Sequence, residues 1–372
     1  MSIKRTIAFL LLFSSLLIFS CRAQQPAPTA ERAVLIEAGS RTVLYEKNAH
    51  TRASMASTTK IMTALLAIEG EDLDRIVTVA PEAAGIEGSS VYLKAGQKIS
   101  MEDLIYALML QSANDAAVAI ACEMSGDVET FVALMNKKAE ELNLSNTHFA
   151  NPHGLDDEAH YTTAYDLAVL SAYAMENPKF AEIVSTVKRT IAAKEAEGMR
   201  IVVNHNRLLR SRSDVIGVKT GFTKKSGRCL VSAAENNGIR LIAVTLNAPD
   251  DWNDHREMLD YGFESLEIQE IAPVGEYTLE INCVGGTKDK LTATNTTSLS
   301  LIMQKDKSTR IRAVNELPRF IFAPVHRGEK LGQIVFYSGD SILGSVDVVA
   351  KETVDAIDYN SIFDKIKSFF AA

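Results

Sequence analysis

The chain has 372 residues, 47% of them hydrophobic, and its 47 acidic side chains outnumber 39 basic ones for a formal net charge of -8. That length exceeds one typical domain and predicts two. The acidic balance argues against nucleic acid as the main partner, because phosphate binding wants a basic surface, and the hydrophobic content is too modest for a polytopic membrane protein.

The N-terminus reads as an export signal over residues 1–23. Lys4 and Arg5 form a basic n-region, and Ile7 to Phe19 form an apolar run too short for a confident spanning helix. Two processing outcomes compete. Ile18-Phe19-Ser20-Cys21 resembles a lipoprotein cleavage box, with an atypical Phe19, and would lipidate Cys21. Cys21-Arg22-Ala23 ends on a small residue and would suit ordinary cleavage. Either way the chain is expected outside the cytoplasm, on the outer face of the cell membrane or secreted. Residues 24–32, with Pro26 and Pro28, read as a tether.

Strand signals come next. Ala33 to Ile36 and Thr42 to Tyr45 flank a turn at Glu37-Ala38-Gly39-Ser40. After Ser54, apolar residues at 61, 62, 65, 66 and 68 predict a helix ended by Gly70. Ser100 with Asp103 starts a helix running to about Leu110. Asp115 to Met124 predicts a buried helix stopped by Gly126. Phe131 to Leu142 and Tyr165 to Met175 are further helices. Ile201 to Val203, Leu230 to Ala233 and Leu241 to Leu246 then read as strands, and Trp252 to Phe263 as a closing helix. Strands at the two ends of this segment can pair into one sheet with helices packed on it.

From about Ile268 the pattern turns strand-rich, with runs at Tyr277 to Ile281, Ser298 to Ile302, Lys330 to Phe336 and Ser345 to Val349. This predicts a small all-β sandwich over residues 267–354, with no catalytic constellation of its own. In the tail, residues 355–372, a helix would place Ile362, Phe363, Ile366, Phe369 and Phe370 on one face. A membrane-surface anchor is the favoured reading, and a helix packed on its own domain is the alternative.

Cys122, Cys229 and Cys283 remain beyond Cys21. Their number and wide spacing make no disulfide framework, and they read as small buried hydrophobes. Neither a zinc-binding His-Glu-x-x-His string nor a phosphate-binding glycine loop is present. No metal and no cofactor are expected.

Three short strings carry the chemistry. Ser57-Thr58-Thr59-Lys60 places a hydroxyl and an amine one helical turn apart on one face. A serine needs a base to take its proton, and a lysine serves once burial or a helix dipole lowers its pKa. Backbone N–H groups at the helix start can hold an oxyanion. Ser112-Ala113-Asn114 sits at a helix junction, where Ser112 can relay a proton and Asn114 can orient Lys60 or a substrate amide; helix capping explains the same residues equally well. Lys219-Thr220-Gly221 ends an apolar strand, where Lys219 and Thr220 can grip a carboxylate and Gly221 leaves room for a substrate backbone. A second Ser-x-x-Lys, Ser185-Thr186-Val187-Lys188, has nothing near it to complete a site.

Taken together, the strings resemble a known family. Ala56 to Ala64, Gln111 to Ala117, Asn151-Pro152-His153-Gly154-Leu155-Asp156, Tyr161 to Leu167 and Val218 to Thr223 look like the low-molecular-mass penicillin-binding proteins. More narrowly they look like the serine D-alanyl-D-alanine carboxypeptidases with an appended β domain. Leu93-Lys94-Ala95-Gly96 and Ala248-Pro249-Asp250-Asp251-Trp252 also match. The resemblance covers roughly Ala33 to Phe263, and the β domain more loosely.

The resemblance implies an α+β fold: a five-stranded antiparallel sheet with helices on both faces and an all-helical lobe, making a catalytic domain over residues 33–266. It implies that Ser57 is acylated by the penultimate D-Ala carbonyl of a peptidoglycan stem peptide. Lys60 would be the base, Ser112 the relay and Asn114 the orienter. Lys219 and Thr220 would bind the terminal carboxylate, beside Gly221, and the N–H groups of Ser57 and Phe222 would form the oxyanion hole. β-Lactam antibiotics would trap Ser57. His153 and Asp156 would shape a bordering loop, His205 and Arg207 would lie near the substrate carboxylate, and Arg228 has no assigned part.

Three rival readings remain. A class A β-lactamase would need a Glu-x-x-Leu-Asn loop between Asn114 and Lys219, and no clear one is present. A DD-endopeptidase acting on cross-links, or a non-hydrolytic β-lactam or wall sensor, would use the same residues.

Overall fold

The computed structural model describes residues 24–70, 72–191, 193–194, 199–358 and 367. The expected signal peptide, Cys21 and the apolar face of the tail helix lie outside the described residues.

The chain first meets itself in an antiparallel sheet of five strands: β1 (Arg32–Glu37), β2 (Val43–Lys47), β3 (Val215–Thr223), β4 (Gly227–Asn236) and β5 (Ile239–Leu246). Their order is β2-β1-β5-β4-β3, so the two ends of the segment pair at β1 and β5, Val34 opposite Val244. Alternation explains the apolar runs. Val34, Ile36, Ile242 and Val244 enter one core, while Ala33, Leu35, Leu241 and Ala243 enter another on the opposite face. Both faces are buried, which is why these strands read as continuous hydrophobic stretches.

One face is covered by the helical lobe: α1 (Lys60–Gly70), α2 (Met101–Leu110), α3 (Asn114–Ser125), α4 (Val128–Glu141), α5 (Ala164–Ala174) and α6 (Pro178–Ser185). The other face is covered by α7 (Asp251–Ser265). Starts follow cap chemistry. Ser100 accepts from the Asp103 amide at 3.1 Å, and Asn177, followed by Pro178 at the first helical position, accepts from Lys179 and Phe180. Asn177-Pro178 is itself a helix-start signal, so α6 adds a helix to those that the periodicity predicts. α6 also disposes of the second Ser-x-x-Lys: Ser185 bonds back to the Glu182 carbonyl at 3.0 Å and Lys188 is exposed.

Two expectations need correction. Residues 24–32 are no free tether. The Thr29 and Ala30 amides donate to the Asp254 carboxylate at 2.7 and 3.0 Å, Lys47 donates to the Pro28 carbonyl, and Pro26 and Pro28 are buried. Ile201 to Val203 is a strand, Arg200–Val203, but it pairs with Lys188–Ile191 outside the main sheet. Of the cysteines, Cys229 and Cys283 are buried and Cys122 only partly so.

Beyond α7 the chain is β-rich. A six-stranded sheet and a two-stranded one, Leu266–Ala272 with Leu299–Gln304, share a core of Ala272, Ile281, Ala293, Ile334, Phe336, Val346 and Val348. Among the described residues no helix is long and apolar enough to cross a membrane.

Candidate active site

Three elements bring the three strings together. Ser57 lies in a short 3-10 turn, Ala56–Thr59, that runs directly into α1 at Lys60. Ser112 sits between α2 and α3, and Asn114 opens α3. Lys219, Thr220 and Gly221 lie on the edge strand β3. Ser57, Ser112, Thr220, Gly221 and Phe222 line one open cavity of about 500 Å³.

Lys60 is the hub of the hydrogen bonds around Ser57. Its side chain is fully buried, and Nζ donates to Ser57 Oγ at 3.0 Å, to Asn114 Oδ1 at 2.7 Å and to the His153 carbonyl. Burial pushes its pKa well below the ordinary lysine value. The charge of Lys219 pushes the same way, and Asp115 opposes both. Lys219 is also buried, its Nζ donating to the Thr220 carbonyl at 2.9 Å, and burial lowers it to about 7. The two buried lysines are close enough for the charge of one to depress the other, the kind of perturbation that clusters at functional sites.

Asn114 does not cap its helix; Ala113 holds the cap position without a side-chain bond. Its amide bridges the cleft instead, Oδ1 accepting from Lys60 and Nδ2 donating to the Glu87 carbonyl at 2.6 Å. Next to it, Asp115 accepts from Ser90 Oγ and from the amides of Val91 and Leu93, which pins the loop that carries Ser89 into the cavity. Ser112 has a left-handed backbone, φ 61°, uncommon outside glycine and frequent at functional sites.

The loop after α4 closes the back of the site. Asn151 Oδ1 accepts from the Gly154 amide at 2.7 Å, and Gly154 has φ 90°. A Cβ there would meet the Ala56 carbonyl oxygen at 2.0 Å, so only glycine lets this loop lie against the Ser57 turn. Behind the turn, Thr59 Oγ1 donates to the Ala56 carbonyl and meets His160 Nε2 at 2.7 Å. The Ala150 amide donates to His160 Nδ1, which assigns the neutral ring with its proton on Nε2. Burial lowers the His160 pKa to about 4. His153 is lowered to about 3, first by burial and then by Lys60 and His160. Asp156 accepts from Thr223 Oγ1 at 2.9 Å and from Ser54 Oγ at 3.2 Å, tying the loop to the end of β3.

Gly221 has a role beyond making room for substrate. A Cβ on it would sit 3.0 Å from the Ser57 amide nitrogen and 3.1 Å from the Ala56 Cβ. Glycine therefore lets β3 press against the Ser57 turn and brings the backbone at residues 57 and 221–222 side by side. His205 and Arg207 line the cavity, and Arg228 lines it with Asp251 and Trp252.

The Glu87 and His153 carbonyls, the Asp115 clamp and the His160–Thr59 contact escaped sequence reasoning. A carbonyl carries no residue signature. Asp115 and His160, however, stood inside or beside strings already singled out.

Comparison with known proteins identifies the family. Residues 20–250 match a family model described as D-alanyl-D-alanine carboxypeptidase, and residues 267–356 match one described as penicillin-binding protein 5, C-terminal domain. The chain is 33% identical over 340 residues to the D-alanyl-D-alanine carboxypeptidase DacF of Bacillus subtilis, covering 89% of this chain and 87% of that protein. The crystal structure of penicillin-binding protein 5 from Haemophilus influenzae is similar with a TM-score of 0.67 at 28% identity, over 89% of this chain and 99% of that one. The carboxypeptidase DacD from Francisella tularensis is similar with a TM-score of 0.64 at 25% identity, over 90% and 96% of the two chains. Matched over more than half its length, the chain belongs to the D-alanyl-D-alanine carboxypeptidase family of low-molecular-mass penicillin-binding proteins.

Proposed function

We propose that this serine hydrolase removes the terminal D-alanine from peptidoglycan stem peptides through an acyl-enzyme on Ser57. The observation that carries the assignment is the buried Lys60 Nζ, 3.0 Å from Ser57 Oγ. A lysine that burial disposes to be neutral takes the Ser57 proton as Oγ attacks the penultimate D-Ala carbonyl, a step of the kind worth about 10²–10⁴ in rate. The Ser57 and Phe222 amides hold the oxyanion. The C–N bond breaks, Ser112 passes a proton to the departing D-Ala amine, and water then cleaves the Ser57 ester. Asn114 holds Lys60 in place and faces the substrate amide. Lys219 and Thr220 bind the terminal carboxylate beside Gly221. A β-lactam acylates the same Ser57.

This substrate lies outside the cytoplasm, which supports residues 1–23 as an export signal and leaves Cys21 lipidation and tail-helix anchoring as the two routes to the outer face of the membrane. The division into a catalytic domain at 33–266 and a β domain at 267–354 is supported by the gap between the two family matches and by the sheet change at Leu266.

The test is D-alanine release from diacetyl-L-lysyl-D-alanyl-D-alanine, with and without prior penicillin. Release that penicillin blocks, and that Ser57→Ala abolishes together with fluorescent-penicillin labelling, is the expected result. Undiminished labelling of Ser57→Ala would place the nucleophile elsewhere.

A further inference from the structure

The β domain carries an exposed aromatic pair. Phe320–Phe322 is a three-residue edge strand of the six-stranded sheet, parallel to Thr278–Val284, with Phe320 opposite Asn282 and Phe322 opposite Val284. Alternation packs Ile321 on the domain core and turns both rings outward. Phe320, Phe322 and Val284 are 51%, 68% and 46% exposed. The two rings meet edge to face, with centroids 5.5 Å apart. Neighbouring apolar side chains on one solvent face differ from a singly exposed residue and mark a contact surface. Another strand cannot extend the edge far, because Pro318 and Pro324 bracket it and lack the N–H that a ladder needs. Glu280 and Lys290 on the same face are already paired at 2.7 Å.

The place of the pair in the fold points to its partner. The Ile357 amide donates to the Gly285 carbonyl at 2.8 Å, and Ala356 bridges to Gly286, so the chain leaves the domain beside Val284. Residues 358–361 then lead to the apolar tail positions 362, 363, 366, 369 and 370. Four residues span at most about 14 Å. A tail lying on a bilayer therefore brings Phe320 and Phe322 to the same surface. This end of the sheet is away from the catalytic domain. Ser338 and Ile342 border a cavity with Gly39 and Thr42, and the ten-residue strand Ser341–Ala350 runs about 30 Å from there. Val284 lies past its far end, by the pairing of Ala350 with Ala293 and of Lys290 with Asn282.

We propose that Phe320 and Phe322 are a lipid-contacting pair, both rings entering the boundary between headgroups and acyl chains of a bilayer. The inference rests on the reading of residues 355–372 as an anchor and adds a contact outside that tail. A short amphipathic helix holds a surface reversibly, in proportion to the apolar area it buries. Two rings on a rigid strand beside it supply a second point of attachment, and two points fix the orientation of the domain where one leaves it free to swing. Exposed Arg319, next to Phe320, is a cation suited to lipid phosphates.

The test uses the chain through Ala372 and vesicles of phosphatidylethanolamine and phosphatidylglycerol. Phe322→Trp places an indole at the outer position, and the unsubstituted chain supplies the background from Trp252, its one native tryptophan. On vesicles the new indole should shift its emission to the blue and be quenched by brominated acyl chains. Phe320→Ser with Phe322→Ser should weaken vesicle binding by about tenfold, as expected when apolar rings no longer leave water. Fluorescent-penicillin labelling and the melting temperature should stay unchanged. An indole neither shifted nor quenched on vesicles that bind the chain overturns the pair and leaves the tail reading standing. Absence of vesicle binding by the unsubstituted chain overturns both. Blue emission without vesicles also overturns the proposal: it assigns the rings to the tail if removal of residues 359–372 reverses it, and to a second copy of the chain if dilution does.

Discussion

His160 Nε2 meets Thr59 Oγ1 at 2.7 Å, and the same hydroxyl donates to the Ala56 carbonyl, so the histidine braces the turn that holds Ser57 from behind. Its other nitrogen accepts the Ala150 amide at 3.0 Å, which joins the brace to the loop carrying His153 and Gly154. His160→Ala should therefore lower kcat more than it raises KM, because the turn and not the substrate contact is disturbed. His160→Gln, which keeps a donor to Thr59, should recover part of the loss. Steady-state kinetics on the D-alanyl-D-alanine peptide distinguishes the two.

The same ring predicts acid sensitivity. Its folded pKa of about 4 lies below the unfolded value, so the unfolded chain binds the proton first. The stability it contributes is fully present above about pH 6.5 and is lost as pH falls through about 4, for a total near 3 kcal/mol. His255, fully buried between Thr245 and Ser232 with a pKa of about 3, adds a second loss that continues to lower pH. Urea unfolding between pH 7 and 4 should show stability declining with acid. A flat profile would mean that these rings are protonated in the fold.

Lys60 and Lys219 should shape the pH dependence of kcat/KM from opposite sides. As pH falls, Lys60 gains a proton and Ser57 loses its base. As pH rises through about 7, Lys219 loses its charge and carboxylate binding weakens. A bell is expected. Lys219→Arg keeps its charge, so the alkaline limb should vanish in that variant while the acid limb stays. An alkaline limb that persists would belong to another group.

Lys60→Arg tests the base directly. A guanidinium does not give up its proton, so penicillin acylation should drop by about 10²–10⁴ while the fold survives. Stopped-flow measurement of acylation reads this, with thermal unfolding as the control.

Gly154→Ala tests the clasp between loop and turn. The positive φ and the 2.0 Å approach to the Ala56 carbonyl oxygen oppose any side chain. The two effects together should cost about 2–5 kcal/mol and slow acylation as well. An unaltered melting temperature would show that the loop lies elsewhere.

Much of this architecture was legible from local patterns. Caps, Gly70, Gly126 and the 3.6-residue periodicity located five lobe helices, and continuous apolar runs located β4 and β5. Ser57, Lys60, Ser112, Asn114, Lys219 and Thr220 stood out because reactive residue types recur in short strings. α6 was missed although Asn177-Pro178 announced it. The placement of Ile201 to Val203 could not be read, because an exposed strand carries no mark of which sheet it joins. Residues 24–32 looked like a tether because Pro and small polar residues give no sign of a carboxylate, Asp254, waiting more than two hundred positions away.

The sequence by itself determined which chemistry was available: a hydroxyl, an amine one turn behind it and a clamp for an anion, in an order shared with one family. Only the tertiary structure decided that Lys60 is buried against Asn114 and the His153 carbonyl, that His160 stands behind Thr59, and that Gly154 and Gly221 admit close backbone contact. These depend on dielectric and distance, which arise when segments far apart in the chain exclude water together, and no local pattern encodes them.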